Sequence, residues 1–281
     1  MSAVSELLSD SLMQRALLVA LLVGLAAPVI GTYLVQRKLS LLGDGIGHVA
    51  LTGVALGWLV GATLDVVPND ALAVPGAVVA AVAGAVVIET VRERTRGGGD
   101  VALALLFYGG IAGGVLLIGL AGGTSANLVG YLFGSISTVS MSDVVLTVVL
   151  CVVLLGVGVG LRPALFAVSH DAEFARASGL PVRTLNIAIA VVAALTVTVA
   201  MRVVGLLLVS ALMIVPVAVA QLVSRSFNAT MHLAMVLGTA VCVVGLSVTY
   251  WVPLAPGATI VVLAILVYLT VLATRGIFAR R

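Results

Sequence analysis

The segment Gly43-Asp44-Gly45-Ile46-Gly47-His48 holds the residues best suited to chemistry. Asp44 and His48 stand four positions apart, so on a helix they project from one face, one turn apart. A carboxylate and an imidazole together suit borderline divalent cations such as zinc, manganese or iron. The surrounding glycines let the backbone bend and neighbours approach closely. Two ligands do not complete a metal site, so the rest must come from elsewhere in the bundle or from water on the ion. The plainer alternative is that Asp44 caps a helix and His48 sits at an interface.

A second polar segment runs Ser169-His170-Asp171-Ala172-Glu173-Phe174-Ala175-Arg176-Ala177-Ser178-Gly179-Leu180-Pro181. Asp171 suits an N-cap, Glu173 and Arg176 are neighbours at i and i+3, and Gly179-Leu180-Pro181 is a stop signal. The pattern predicts one short, self-capped helix, which as a bare connection between two spans would be ordinary. Asp100 and Asp143 each precede an apolar run and read as N-caps. His170 and His232 fall in or beside connecting loops, where polar residues collect at span ends. No GxxxxGK[ST] loop is present, and Lys38, the lone lysine, is followed by Leu39, so the chain has no phosphate loop with which to hold ATP. HExxH and GxSxG are also missing. A catalytic reading has no residues to stand on.

The elements that must position these residues follow from composition. The chain has 281 residues, 62% hydrophobic and only 9% charged, with a mean hydropathy of +1.30. A soluble domain carries about a quarter charged residues, so a soluble globular protein is excluded. At about 20 residues per crossing, eight or nine helices use about 160 to 180 residues and leave only short loops. The expected fold is all-α, a polytopic transmembrane bundle of 8–9 spans forming one domain over 1–281, with the polar segment 169–183 inside it. The net charge of +3 does not indicate nucleic acid, because the basic residues sit singly or in short clusters between apolar runs. Cys151 and Cys242 lie far apart in apolar runs without CxxC spacing, which supports neither a disulfide framework nor a thiolate metal site. The leader carries Glu6 and Asp10 against Arg15, unlike a secretory signal.

Nine runs qualify as spans: 16–35, 46–64, 71–88, 101–122, 144–161, 185–200, 203–223, 233–252 and 258–273. Arg37/Lys38, Arg92/Arg94/Arg96, the Arg162 to Arg183 stretch, Arg225 and Arg275/Arg280/Arg281 fall in alternate loops, while the other loops hold Asp65 and Asp70 or no charge. Arg202 is the exception. This bias predicts an outer N-terminus and a cytoplasmic C-terminus, and an even count would need one re-entrant run. The topology puts Asp44 and His48 toward the cytoplasmic end of the second span. The semi-polar stretch 123–143 is too short in its apolar part to cross and reads as a re-entrant or interfacial helix. Gly53/Gly57/Gly61, Gly109/Gly113 and Gly110/Gly114 form small-residue stripes, the signature of close helix packing in lipid.

Taken in order, these segments resemble the membrane permease subunits of the manganese/zinc/iron ABC importers. LVQRKLSLLGDGIGHVALTGVALG is similar to the family's segment with a Gly-Asp pair followed by a Ser-His pair, although Gly47 stands where that serine is usual. YLFGSISTVSMSDV resembles its Leu-Phe-Gly segment, VSHDAEFARASGLPVRTLN its coupling loop, and VVGLLLVSALMIVPVAVAQLVSR its late span with an internal proline, here Pro216. The resemblance implies a homodimer in the cell membrane, two copies of a separate cytoplasmic ATP-binding subunit and an extracytoplasmic metal-binding protein. It implies metal contacts at Asp44 and His48 and ATPase coupling through Asp171, Glu173, Ala175 and Gly179. No permanent cofactor is expected, only the transported divalent metal. Tyr131-Leu132-Phe133-Gly134 leans toward the zinc members. The rival readings are a siderophore or cobalamin permease, which needs a wider cavity without the Asp/His pair, and an ion-coupled secondary carrier. The carrier needs several buried carboxylates, for which Glu89 and a few span-end aspartates are available.

Overall fold

A computed structural model describes residues 9–66, 71–94, 99–122, 125–134 and 139–278. Lipid offers no partner for a backbone N–H or C=O, so an apolar chain of this composition satisfies those groups internally as helices. Twelve helices are described: α1 (Ser11–Gln36), α2 (Leu42–Thr63), α3 (Ala73–Arg94), α4 (Gly99–Leu120), α5 (Ser125–Phe133), α6 (Met141–Gly160), α7 (Arg162–His170), α8 (Ala172–Ala177), α9 (Val182–Val204), α10 (Leu206–Val223), α11 (Phe227–Trp251) and α12 (Pro256–Phe278). Among the described residues nine are long and apolar enough to cross a membrane, and they coincide with the nine runs expected from sequence. The chain is a multi-pass, all-α membrane protein. Asp70 lies outside the described residues, as do the side chains of Asp100 and Arg202.

Several boundaries differ from the sequence reading for local reasons. The first span begins five residues earlier than expected, at Ser11, because the Asp10 carboxylate accepts from the Leu12 N–H and caps it. Asp143 is not the N-cap of α6. Ser140 takes that place, and Asp143 is the acid of a capping box, accepting from the Ser140 N–H at 2.9 Å. Likewise α2 has Leu41 at its N-cap, with Asp44 inside the first turn. The polar segment forms the one short, self-capped helix expected, α8, and a further helix, α7, precedes it, with Pro163 near its start where proline suits a helix N-terminus. In the 123–143 stretch, α5 is a nine-residue helix, too short to cross; residues 123–124 and 135–138 lie outside the described ones.

Close packing is done by glycine. Helices α2 and α3 run antiparallel, with Gly53 against the Gly76 backbone and Gly57 against Leu72 and Ala73. Helices α1 and α11 cross at Gly24 and Gly238, where a methyl on Gly24 would come 2.8 Å from the Gly238 carbonyl oxygen. Van der Waals contact is what holds helices together when lipid is as apolar as their side chains. On α4, Gly110, Gly113 and Gly114 pack on α2, whereas an atom added at Gly109 meets nothing within 4 Å. We therefore expect Gly110→Leu to destabilise the bundle by about 3 kcal/mol, the upper range for overpacking. Gly109→Leu should stay within about 0.5 kcal/mol, with thermal unfolding in detergent as the measurement.

Candidate functional site: the Asp44–His48 pair

The turn 37–41 reverses the chain between α1 and α2, with Lys38 in the left-handed region (φ 58°). Helix α2 then enters a crowded interior. Three glycines in its first two turns each admit a neighbour: Met213 of α10 against Gly43, Leu103 of α4 against Gly45, and Leu206 and Val197 against Gly47. Asp44 and His48, on the same helix, are thus held among α4, α9 and α10. A Cβ on Gly110 would lie 2.6 Å from the His48 carbonyl carbon, and Gly110 stands midway along α4. His48 therefore sits opposite the middle of a span rather than at a span end, deeper than its place in the sequence of α2 suggests.

His48 Nε2 and Asp44 Oδ1 are 3.9 Å apart, with the imidazole 8% and the carboxylate 23% exposed. That gap is too wide for a hydrogen bond. Two metal bonds of about 2.0–2.2 Å placed end to end span at most about 4.3 Å, so both atoms lie within reach of one cation. The His48 ring meets Phe107 edge-on at 4.6 Å, and its Nδ1 is buried without a partner. An orphaned buried nitrogen costs about 1–3 kcal/mol, a penalty of the sort that collects at functional sites.

Asp44 is lightly held. Ser210 of α10 donates to Oδ1 at 3.2 Å, but the same hydroxyl is 3.3 Å from the Leu206 and Leu207 carbonyls. One hydroxyl has one proton to give, so Asp44 can be released without a large loss. Ser210 was missed from sequence; a lone hydroxyl in LLLVSALMIVP, six residues before Pro216, was the available signal. Among the described residues no group of three His, Cys, Asp or Glu side chains gathers, so the pair leaves most coordination positions to water or to other donors.

The joint between α9 and α10 lies one turn from Ser210. Gly205 there has φ 89°, and an added Cβ would lie 2.5 Å from the Phe133 carbonyl carbon at the end of α5. Gly257, in the first turn of α12, approaches the Phe133 and Val204 carbonyls just as closely. The short helix expected within 123–143 therefore caps this joint, and its Tyr131 ring contacts Trp58 of α2 at 5.6 Å.

The other expected site residues lie apart from this pair, at the basic end. The Asp171 carboxylate caps α8, accepting from the N–H groups of Glu173 at 3.0 Å and Phe174 at 2.9 Å. Glu173 and Gly179 are exposed, Gly179 with φ 81°, while Ala175 is fully buried and anchors the helix. Phe174 is 66% exposed beside Glu173, so α8 presents an aromatic and an acid outward. Next to it, Gln36 at the end of α1 lies 3.4 Å from His170 Nδ1. Glu89, buried in α3, is bound by Arg37 at 3.1 Å and Arg92 at 2.8 Å. Burial pulls the Arg37 guanidinium below its usual value, and the Glu89 charge acts against that. With two cations on it, Glu89 is poorly placed to serve as the proton or ion relay that a secondary carrier requires.

A profile of the ABC 3 transport family matches residues 9–275. The manganese transport system membrane protein MntC of Listeria monocytogenes is 30% identical over 262 residues, 93% of this chain and 90% of that protein. The protein of the same name from Halalkalibacterium halodurans is 33% identical over 260 residues, 92% of this chain and 86% of its own length. Among solved structures, PsaBC from Streptococcus pneumoniae in complex with Fab superposes with a TM-score of 0.82 at 29% identity, covering 96% of this chain and 94% of the other.

Proposed function

The chain belongs to the ABC 3 transport family, and from that membership we propose that it is the membrane-spanning subunit of an ATP-driven importer of divalent metal ions. It works as a homodimer with a separate cytoplasmic ATP-binding subunit and an extracytoplasmic metal-binding protein. Manganese is the first cargo to test, because the two relatives described above carry it in their names; zinc and iron follow. The observation that carries the reading is the Asp44–His48 gap of 3.9 Å at mid-depth of the bundle.

The physical case is simple. A divalent ion stripped of water cannot enter an apolar interior unpaired. Asp44 and His48 replace part of its hydration shell, and the remaining positions keep water. Ligation by two side chains favours release over storage, in contrast to a closed four-ligand site. Asp44 gives up its shared Ser210 hydrogen bond on the ion's arrival, and His48 turns a nitrogen to the metal. Interruptions at Pro28, Gly205 and Pro216 let α1, α9 and α10 shift where their ladders are already broken.

ATP binding by the partner subunit moves α8, and with it the connection to α7 and α1, between outward- and inward-open arrangements. Glu173, Ala175 and Gly179 form the contact, with Asp171 holding its helix. Uptake of manganese and zinc into vesicles carrying the full complex tests this. Glu173→Lys and Gly179→Leu should each lower ATP-driven uptake at least about tenfold, ~1.4 kcal/mol of docking free energy. Metal binding by the permease alone should be unchanged. Uptake that continues at full rate without any ATPase would instead establish a secondary carrier.

A further inference from the structure

We infer that the polar cavity at the basic end of the bundle, between the α1–α2 turn, α3 and α7, is a binding site for a phosphate oxyanion. The cavity holds about 400 Å³, and its charged lining is Arg37, Lys38 and Arg92 against the single carboxylate of Glu89. Ser169 and Asn186 line it as well. At about 30 Å³ per water it has space for a phosphate group together with several waters.

Two independent features separate it from an ordinary solvated cluster of basic residues. The first is burial with unmet hydrogen bonding. Among the described residues, buried side-chain atoms without a partner are Arg37 Nη1, His48 Nδ1, Ser169 Oγ, Asn186 Oδ1 and Thr239 Oγ1. Three of these five belong to residues lining this one cavity. Arg37 is 9% exposed, Ser169 7% and Asn186 8%. Each such atom costs about 1–3 kcal/mol when nothing meets it. Water can meet the hydrogen bonds but leaves the charge.

The second feature is that charge. Glu89 takes one nitrogen from each arginine, Nη2 of Arg37 and Nη1 of Arg92. The Arg37 Nη1 group and the Lys38 ammonium are thereby left over. Arg37, Lys38 and Ser169 line this one space, and a small side-chain rotation that brings a guanidinium edge and a hydroxyl beside the ammonium gives the donor set that a tetrahedral anion with several acceptor oxygens satisfies. The amide of Asn186 adds a further N–H when turned. A divalent cation meets net repulsion here, so the cavity is separate from the cargo site at Asp44 and His48. Its occupant ties the turn that carries Arg37 and Lys38 into α2 to the segment that carries Ser169 into α8.

Two sources offer the same chemistry: free inorganic phosphate or a phosphate ester, and the phosphate of an anionic lipid headgroup at the same face. The test is thermal unfolding of the full-length protein in detergent, titrated with sodium phosphate against sodium chloride at matched ionic strength. A saturable rise of about 2–4 °C specific to phosphate is expected. Lys38→Asn, which suits the left-handed backbone there, and Ser169→Ala should each raise the half-saturating phosphate concentration about fivefold or more. In the lipid arm, nanodiscs of phosphatidylcholine are compared with nanodiscs containing phosphatidylglycerol. Stabilisation by phosphatidylglycerol with a blunted phosphate response assigns the site to a headgroup. A full phosphate response in both bilayers assigns it to the free ion. No stabilisation by either source, or equal responses in the wild type and both variants, overturns the inference.

Discussion

Asp44→Asn and His48→Ala should each reduce metal uptake by the assembled complex at least about a hundredfold. Loss of a mere supporting contact around a metal already costs 10–100-fold, and these residues are the proposed ligands themselves. Asparagine keeps the shape of Asp44 and can still accept from Ser210, so the loss there isolates the charge. Alanine at 48 removes the ring that rests on Phe107 and leaves a void beside Gly110. Protein in the membrane and its melting temperature must therefore be measured alongside uptake. Ser210→Ala is the graded control: it removes a hydroxyl that Asp44 shares with two carbonyls, and a change of about threefold or less is expected. Wild-type fluxes of both manganese and zinc in the Asp44 and His48 variants, at normal protein levels, would remove the proposed metal site.

Much of this architecture is legible in the chain because the bilayer reads composition directly. Twenty apolar residues between charged or turn-forming ones can do little else than span, and the nine runs match the nine helices long and apolar enough to cross among the described residues to within about six residues at their ends. The caps of α8 were equally readable, since Asp171 and Gly179 act through their nearest neighbours. Depth was not. The place of Asp44 near the start of α2 suggested a position close to one membrane face, and only the packing of Gly43 on Met213 and of Gly110 on His48 shows how far into the bundle this turn reaches. Periodicity along one helix carries no information about which part of another helix it meets.

The same limit explains Ser210 and Glu89. Ser210 is a lone hydroxyl in an apolar stretch and Glu89 opens the polar run at the end of its span, and sequence names the distant partner of neither. Ser210 lies 166 positions from Asp44 and Glu89 lies 52 from Arg37. Long-range pairs of this sort are decided by the tertiary crossing of helices, and glycine placement decides the crossing. The three glycines that let α10, α4 and α9 close on the first turns of α2 are thus as much a part of the site as its two candidate ligands.

Glu89→Leu should destabilise the folded protein by about 3–5 kcal/mol, the cost of breaking a buried ion pair and stranding its partner. Arg92, 25% exposed, can turn its guanidinium toward water, but Arg37 is 9% exposed and its position is fixed by the turn it begins. Arg37→Met alone costs less, because Arg92 still meets the Glu89 charge. The double variant Arg37→Met/Glu89→Leu should recover most of the loss, since apolar groups of similar size often replace a buried pair at little cost. Thermal unfolding of the four proteins completes the cycle. A Glu89→Leu variant as stable as wild type would show that this contact carries no weight. If the loss and its rescue both appear, the pair is what fixes the 37–41 turn against α3, and therefore where α2 begins. A double variant that is stable yet slow in metal uptake would then show that the pair serves to place Asp44 as well as to hold the bundle.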